Sequence, residues 1–221
     1  MSIKRIAATV GVSPSTVSIW VRDIELLPRH REALIKKNRD ARLPGGRNEV
    51  WRELSRTRRR QYQDKGRQRA RTGEILHLAG CMLYWAEGSK ERNSVLFANS
   101  DPAMMVMFLR FLRECFGLTP AEMTLRLNVY TNNGLSIEDI ETYWLELLSL
   151  PRSSLRKHMV NHCPTSSSGL KRNKLPYGVC TLRVKQSTWL VQHIYGAIQG
   201  YAGFDEPRWL DGPPRKQQSS H

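Results

Sequence analysis

The chain has 221 residues, of which 40% are apolar, so it can bury the cores of one medium domain and one small one. No apolar run approaches the ~18–20 residues that cross a bilayer, and the first residues lack the apolar stretch of a secretory leader. Four cysteines without a CxxC pair favour the reducing cytoplasm, at the nucleoid if the partner is DNA.

The net charge of +15 is unevenly distributed. Residues 36–72 hold 14 basic and four acidic side chains, and residues 151–185 hold eight basic side chains and no acidic one. The stretch 73–150 between them is acidic. A polyanion-binding surface sorts charge in this way, and no membrane anchor or lipidation motif accompanies the basic blocks. The sequence therefore predicts that the partner is nucleic acid, taken to be double-stranded DNA, although charge alone does not distinguish DNA from structured RNA.

Residues 3–23 predict two short helices. Gly11 breaks the first helix, and Ser13 followed by Pro14 is a start signal for the second. The segment resembles the helix-turn-helix motif, with Ala7 where the first helix must be thin and a small core that comprises Val12, Val17 and Trp20. An ordinary helical hairpin is the alternative.

The resemblance implies a DNA-binding segment over residues 1–35. If the second helix enters the major groove, the side chains expected at the DNA are Ser13, Ser15, Thr16, Ser18, Ile19 and Arg22. Because such motifs normally belong to three-helix domains, the missing helix is expected either before the given start, which would then be truncated, or from residues 29–37.

Residues 36–72 predict a basic, partly helical linker. A Leu-Pro-Gly-Gly break at 43–46 precedes an arginine-rich stretch in which Arg58, Arg59 and Arg60 are candidate phosphate contacts. A solvated linker helix is the alternative.

The second domain is expected over residues 73–204, with a Pro-rich flexible tail at 205–221. Helical periodicity, caps and alternation predict helices that begin near residues 75, 102, 136 and 188, and strands at 95–98, 123–130, 155–161 and 179–185.

This order resembles the LAGLIDADG homing-endonuclease fold. The likeness is carried by Leu78-Ala79-Gly80-Cys81-Met82-Leu83-Tyr84-Trp85-Ala86-Glu87-Gly88 and by Asn99-Ser100-Asp101 before the next helix. It implies an α+β domain with a curved antiparallel sheet, and a homodimer through the helix at 76–86. It also makes Glu87 the candidate metal ligand and catalytic residue. The metal would be Mg²⁺ if the chain is a nuclease, and no cofactor is expected otherwise.

Two features depart from that family at the metal-binding end of the motif. Trp85 replaces a small or acidic residue, and the acid is Glu87 rather than aspartate. In the alternative interpretation Glu87 ends a buried helix and pairs with Lys90. Lys185, the last residue of the last predicted strand, is the second catalytic candidate.

Strands of this family lie in the major groove, so the resemblance implies a second DNA contact on the sheet and on the 162–177 hairpin. Its candidate residues are Arg126, Asn128, Lys157, Lys171, Arg172, Lys174, Arg183 and Lys185. A zinc site formed by His158, His162, Cys163 and Cys180 is an alternative use of this region, but the ligand spacing matches no compact zinc motif.

Three functional hypotheses follow. The favoured one is a sequence-specific, regulatory or accessory DNA-binding protein that does not cleave. The second is a metal-dependent homing-type endonuclease that acts as a dimer. The third is an assembly module whose second domain mainly dimerises.

Overall fold

The computed structural model describes residues 2–40, 46–130, 134–161 and 175–211 of the chain. They form a mixed α+β structure, which confirms the predicted class. The chain divides into two compact units, residues 1–54 and 55–221. This division lies within the segment predicted as a linker.

The first unit is helical. Helix α1 (Ile3–Val10) ends at Gly11, whose φ of 73° lets its own N–H and that of Val12 bond to the Ala7 carbonyl. Helix α2 (Pro14–Trp20) follows, and then α3 (Pro28–Asp40). Helix α4 (Arg47–Ala70) begins in this unit and extends beyond residue 54.

The core of the first unit is smaller than the sequence predicted. Among its described residues only Ala7 and Val17 are buried, and Trp20, expected in the core, is 57% exposed. Helix α2 has only two turns and buries one position against α1, while α3 buries no residue at all. The expectation that residues 29–37 supply a third packing face is therefore not met in the described structure.

The second unit contains the other elements. In chain order they are α5 (Ile75–Glu87), β1 (Leu96–Asn99), α6 (Pro102–Phe116), β2 (Met123–Val129), α7 (Ile137–Leu148), β3 (Met159–Val160), β4 (Val179–Val184), α8 (Thr188–Ala202) and α9 (Pro207–Asp211). The predicted caps operate. The Asp101 carboxylate accepts from the first turn of α6, and Ser136 with Asp139 forms a capping box at α7.

The sheet has the order β1-β4-β2-β3, and it is mixed rather than antiparallel as expected. The pairs β1–β4 and β4–β2 are antiparallel, but β3 runs parallel to β2. The cause is the connection, because α7 lies between β2 and β3 and returns the chain to the same end of the sheet.

Strand β3 is also shorter than the predicted strand at 155–161. Residues 152–154 form a 3-10 turn, and only Met159 and Val160 pair as a strand. The Leu127 N–H bonds to Nδ1 of His158 at 3.2 Å, so a side chain takes the place of a backbone acceptor just before the strand.

One face of the sheet packs on the helices. Phe97, Leu182 and Leu125 lie opposite one another on β1, β4 and β2, and all three are fully buried. The Phe97 ring stacks on Phe108 of α6 with 4.3 Å between centroids. Residues that alternate with these, at 124, 126, 181 and 183, therefore lie on the other face.

The second half of α4 belongs to this unit rather than to a linker. A Cβ at Gly66 would lie 2.0 Å from the His193 carbonyl oxygen, and one at Gly196 would lie 2.0 Å from that of Gln63. The two helices therefore cross with their backbones in contact, which only glycine permits. At the crossing the buried Gln63 amide donates to Oε1 of Gln192 at 2.7 Å.

The segment after residue 204 differs from the predicted flexible tail as far as residue 211. Trp209 of α9 stacks on Tyr195 at 4.7 Å, and its carbonyl accepts from Gln192 at 2.9 Å. Asp211 accepts two hydrogen bonds from Arg56. Residues 212–221 lie outside the described part of the chain.

None of the described helices combines the length and the apolar character that crossing a membrane requires.

Candidate nucleic-acid interface

Two of the residues predicted to contact DNA from helix α2 form hydrogen bonds at the N-terminus of that helix. The Ser13 hydroxyl accepts from the Thr16 N–H at 3.1 Å and lies 2.8 Å from the Thr16 hydroxyl. These two side chains therefore cap the helix, and Thr16 is half-buried. Their hydroxyls are less available to base edges than the sequence suggested.

The remaining candidates on α2 are exposed. Ser15, Ser18, Ile19 and Arg22 all face solvent in the first unit. Trp20, which the sequence assigned to the core, joins this exposed set. Its position at the last residue of a two-turn helix is the signal that was overlooked.

The three consecutive arginines of α4 separate into two kinds. Arg58 and Arg60 are exposed, and neither forms a hydrogen bond or an ion pair with any described residue. Arg59 is half-buried and donates from Nε to the Leu210 carbonyl at 3.0 Å. Burial and then the nearby Arg92 lower the pKa of Arg59, while Asp211 opposes this shift.

The outer face of the sheet brings the strand candidates together. Arg126 and Asn128 alternate with buried residues on β2, and Arg183 does so on β4. In the register Arg126 lies opposite Thr181 and Arg183 lies opposite Thr124. Neither threonine was predicted as a site residue, although the same alternation places both on this face.

The cations of this face have few competing partners. Arg126 donates to the backbone carbonyl of the exposed Lys157 at 3.1 Å. Arg183 is half-exposed and has Glu91 at 3.6 Å. Exposed pairs of this kind contribute at most ~1 kcal/mol, so a phosphate can displace them at little cost.

The candidate residues Lys171, Arg172 and Lys174 lie outside the described residues, as does most of the predicted hairpin at 162–177.

Glu87 and Lys185, the catalytic candidates, are not brought together. Glu87 accepts from Nδ2 of Asn99 at 3.4 Å, and Asn99 pairs with Cys180 near the start of β4. Lys185 follows the other end of β4 and donates to the Ala121 carbonyl at 2.6 Å. Five residues of extended strand separate the two ends by roughly 16 Å.

Glu87 has few further metal ligands near it among the described residues of one chain. Its side chain is exposed at the end of α5, and no group of three His, Cys, Asp or Glu side chains that could hold a metal occurs among the described residues. Lys90 donates to the carbonyls of Trp85 and Gly88, so it caps the helix rather than pairing directly with Glu87.

The zinc alternative is not supported by the two of its residues that are described. Both His158 nitrogens are engaged, Nδ1 by the Leu127 N–H and Nε2 by Glu141 at 2.7 Å. Cys180 is fully buried, and burial raises the pKa of its thiol, which disfavours the thiolate that zinc requires. His162 and Cys163 lie outside the described residues.

Helix α5 has a buried side and an exposed apolar side. Gly80, within the helix predicted to dimerise, is buried, and a Cβ there would lie 2.1 Å from the Phe111 ring of the same chain. The opposite side carries an apolar stripe at helical spacing, formed by Ile75, Leu78, Ala79, Met82, Trp85 and Ala86. Ile75 is 82% exposed, and Leu78 and Trp85 are each nearly 40% exposed.

Comparisons with protein-family models, with curated proteins and with solved structures found no match to this chain.

Proposed function

We propose that this chain is a sequence-specific DNA-binding protein of a regulatory or accessory kind, active at the nucleoid, which holds duplex DNA without cutting it. The observation that carries the proposal is the outer face of the sheet, where Arg126 lies diagonal to Arg183, and Asn128 lies two residues further along β2, with little acidic neutralisation. Guanidinium and amide groups on one surface suit phosphate oxygens and base edges.

Helix α2 is proposed to read sequence as part of a helix-turn-helix. Its exposed hydroxyls and Arg22 can bond base edges, while the left-handed turn at Gly11 and the cap at Ser13 fix its start. Arg58 and Arg60 are proposed to contact phosphates, because they are exposed cations with no hydrogen bond or ion pair to a described residue.

The second unit is proposed to be LAGLIDADG-like and to dimerise through α5. Support comes from the apolar stripe on the solvent side of this helix, since a second copy would bury it and monomers rarely leave a continuous apolar strip exposed. The face that the dimer would use is the Leu78–Trp85 face and not Gly80, which the Phe111 ring already covers.

The non-cleaving form is preferred because Glu87 lacks further ligands among the described residues. A Mg²⁺-dependent nuclease would need two copies of Glu87 to meet at the scissile phosphates.

Incubation of the protein with a random duplex pool and with supercoiled plasmid, each with and without Mg²⁺, tests the proposal. We expect enrichment of a defined sequence and plasmid that stays supercoiled. Recovery of random sequence only would refute sequence-specific binding. Nicking that Glu87→Gln abolishes would replace the proposal by the nuclease hypothesis.

The dimer has its own test in sedimentation at micromolar concentration. Leu78→Glu should yield a folded monomer, because it puts a charge into the proposed contact. Gly80→Glu should instead unfold the second unit, because the new carboxylate would enter the space of the Phe111 ring. A wild type that is monomeric on DNA and off it would contradict the dimer.

A further inference from the structure

A groove of about 380 Å³ opens on the second unit between α4 and the residues that lead into α8. One wall is formed by α4, which contributes Arg58, Arg59 and Tyr62. The other wall comes from Asn93, in the loop before β1, from Gln186 in the turn before α8, and from Trp189 in the first turn of α8. All of these residues belong to one compact unit.

The chemistry of the lining is one-sided. Each of the eight lining side chains carries an N–H or O–H donor, two of the eight are guanidinium groups, and none is a carboxylate. An anion with several oxygen atoms satisfies such donors, whereas a cation or a purely apolar ligand does not.

The two arginines differ in how they are held. Arg59 lines the groove and is fixed by the hydrogen bond from its Nε to the Leu210 carbonyl. Arg58 is exposed and has no hydrogen bond or ion pair to a described residue. A fixed and a free guanidinium on one wall suit a phosphate group, because a guanidinium can form bidentate hydrogen bonds with phosphate oxygens.

The groove also offers planar surfaces. Tyr62 and Trp189 are both half-buried, and the Trp189 ring is held edge-on against Phe116 at 5.8 Å between centroids. Exposed faces of held aromatic rings stack on nucleobases, and the amides of Asn93 and Gln186 can bond to base edges.

The walls are held in place before any ligand arrives. The Thr188 hydroxyl donates to the Asn93 carbonyl at 2.9 Å, which ties the loop to the first turn of α8. The buried Ser187 hydroxyl donates to the Val184 carbonyl and accepts from the Val95 N–H, both at 2.8 Å. A volume of a few hundred Å³ suits a single small ligand rather than the side of a duplex.

We propose that this groove binds one nucleotide, with its phosphate on Arg58 and Arg59 and its base against the aromatic wall. The source is either a free mononucleotide or an unpaired nucleotide of a strand. As a contact to a strand, the inference rests on the proposed nucleic-acid function and adds to it a site for an unpaired base.

Two variants test the groove with little risk to folding, because both side chains are exposed. Arg58→Ala removes the free guanidinium, and Asn93→Asp puts a carboxylate among the donors while keeping the backbone carbonyl that Thr188 uses. Lys65→Ala is the matched control, since Lys65 is an exposed cation on the same helix that does not line the groove.

The probes are a short labelled single strand, a duplex of the same length, and adenosine monophosphate. Binding of adenosine monophosphate is measured by calorimetry. We expect Arg58→Ala and Asn93→Asp each to weaken single-strand binding by about tenfold or more, and Lys65→Ala to weaken it by about twofold or less. Loss of adenosine monophosphate binding in the same two variants would identify the free nucleotide as a ligand. If the two variants lose affinity for the single strand and the wild type never binds adenosine monophosphate, the ligand is an unpaired nucleotide of a strand.

The outcomes separate this site from the proposed function. If the groove variants bind the single strand and the mononucleotide as the wild type does, the groove is wrong even where duplex binding persists. If all three variants weaken binding equally, the effect is general charge and the groove is also wrong. If the wild type fails to bind the duplex but binds the mononucleotide through Arg58, the groove stands and the proposed function falls.

Discussion

Arg126 and Arg183 occupy diagonal positions on the outer face of neighbouring antiparallel strands, because Arg126 lies opposite Thr181 and Arg183 opposite Thr124. Diagonal neighbours lie about 7–8 Å apart, close enough for two like charges to repel. Only Arg183 has an acidic neighbour, Glu91, among the described residues, and its distance is 3.6 Å. A phosphate backbone would relieve this repulsion, which is why the pair is the centre of the proposed interface.

Replacing both arginines with alanine should lower duplex affinity and reduce the slope of log affinity against log salt by about 2, since two phosphate contacts are lost. Anisotropy titrations over a salt series measure this slope. The double variant Arg110→Ala and Arg208→Ala is the control, because it removes the same charge from exposed arginines paired with Glu114 and Glu206. Equal losses in both double variants would contradict a localised interface.

Substitutions in helix α2 and substitutions of the α4 arginines should change DNA binding in different ways. Ser15→Ala with Arg22→Ala removes exposed groups expected at base edges, so it should narrow the gap between cognate and random duplex. Arg58→Ala with Arg60→Ala removes phosphate contacts, so it should weaken both duplexes alike. Parallel titrations with the selected and the scrambled sequence distinguish the two. Identical patterns in the two variants would mean that α2 does not read DNA.

The α4–α8 crossing predicts a graded stability effect. Gly196→Ala would put a Cβ 2.0 Å from a backbone oxygen of Gln63, so it should destabilise the second unit by ~3 kcal/mol or more. Gly200→Ala meets Ala70 Cβ only at 3.0 Å and gains helix propensity, so its net change should stay within about 1 kcal/mol. Urea unfolding of both variants measures the difference. Equal stabilities would mean that the helices do not cross so closely.

The second unit should lose stability in mild acid. His77 and His193 are 3.1 Å apart between their Nε2 atoms, and Nδ1 of His77 lies 2.8 Å from the Tyr201 hydroxyl. Burial lowers the pKa of each imidazole to about 4. The unfolded chain, with histidine pKa values near 6.5, therefore binds more protons than the folded one between pH 6.5 and 4.

The contribution of the two buried histidines to the free energy of unfolding is consequently complete above about pH 6.5, and it is lost as the pH falls towards 4. Each histidine contributes up to ~1.4 kcal/mol per pH unit. Urea unfolding between pH 6.5 and 5 measures this slope above the range of ordinary carboxyl groups. His193→Phe should reduce the slope, because one of the two buried imidazoles is lost, whereas His30→Ala, which removes an exposed histidine, should leave it unchanged. A wild-type slope near zero would contradict the buried neutral pair.

Local signals in the sequence predicted most helices and three of the four strands. Asp101 and Ser136 are strong caps, and the alternation of β2 is complete from Leu125 to Val129. The parallel pairing of β3 was missed although the predicted order already put a helix between the two strands. That order favours a parallel pair, whereas the family resemblance implied an antiparallel sheet.

The role of residues 55–70 could not be read from composition. A charged linker helix would leave Gln63 and Gly66 in solvent, but here both are packed against a helix more than 120 residues later in the chain. Glycine and glutamine on a basic helix indicate flexibility and solubility when read locally. Only the crossing with α8 shows that they are core residues, and only the fold of the 205–211 segment shows that Arg56 and Arg59 are held by it.

The affinity of the wild-type chain for random duplex DNA between 50 and 200 mM salt is the most direct test of polyanion binding. With 6–10 phosphate contacts spread over the basic surfaces, affinity should fall by about 10³–10⁵ over that range. An affinity that stays nearly flat would contradict the proposal that these surfaces bind DNA.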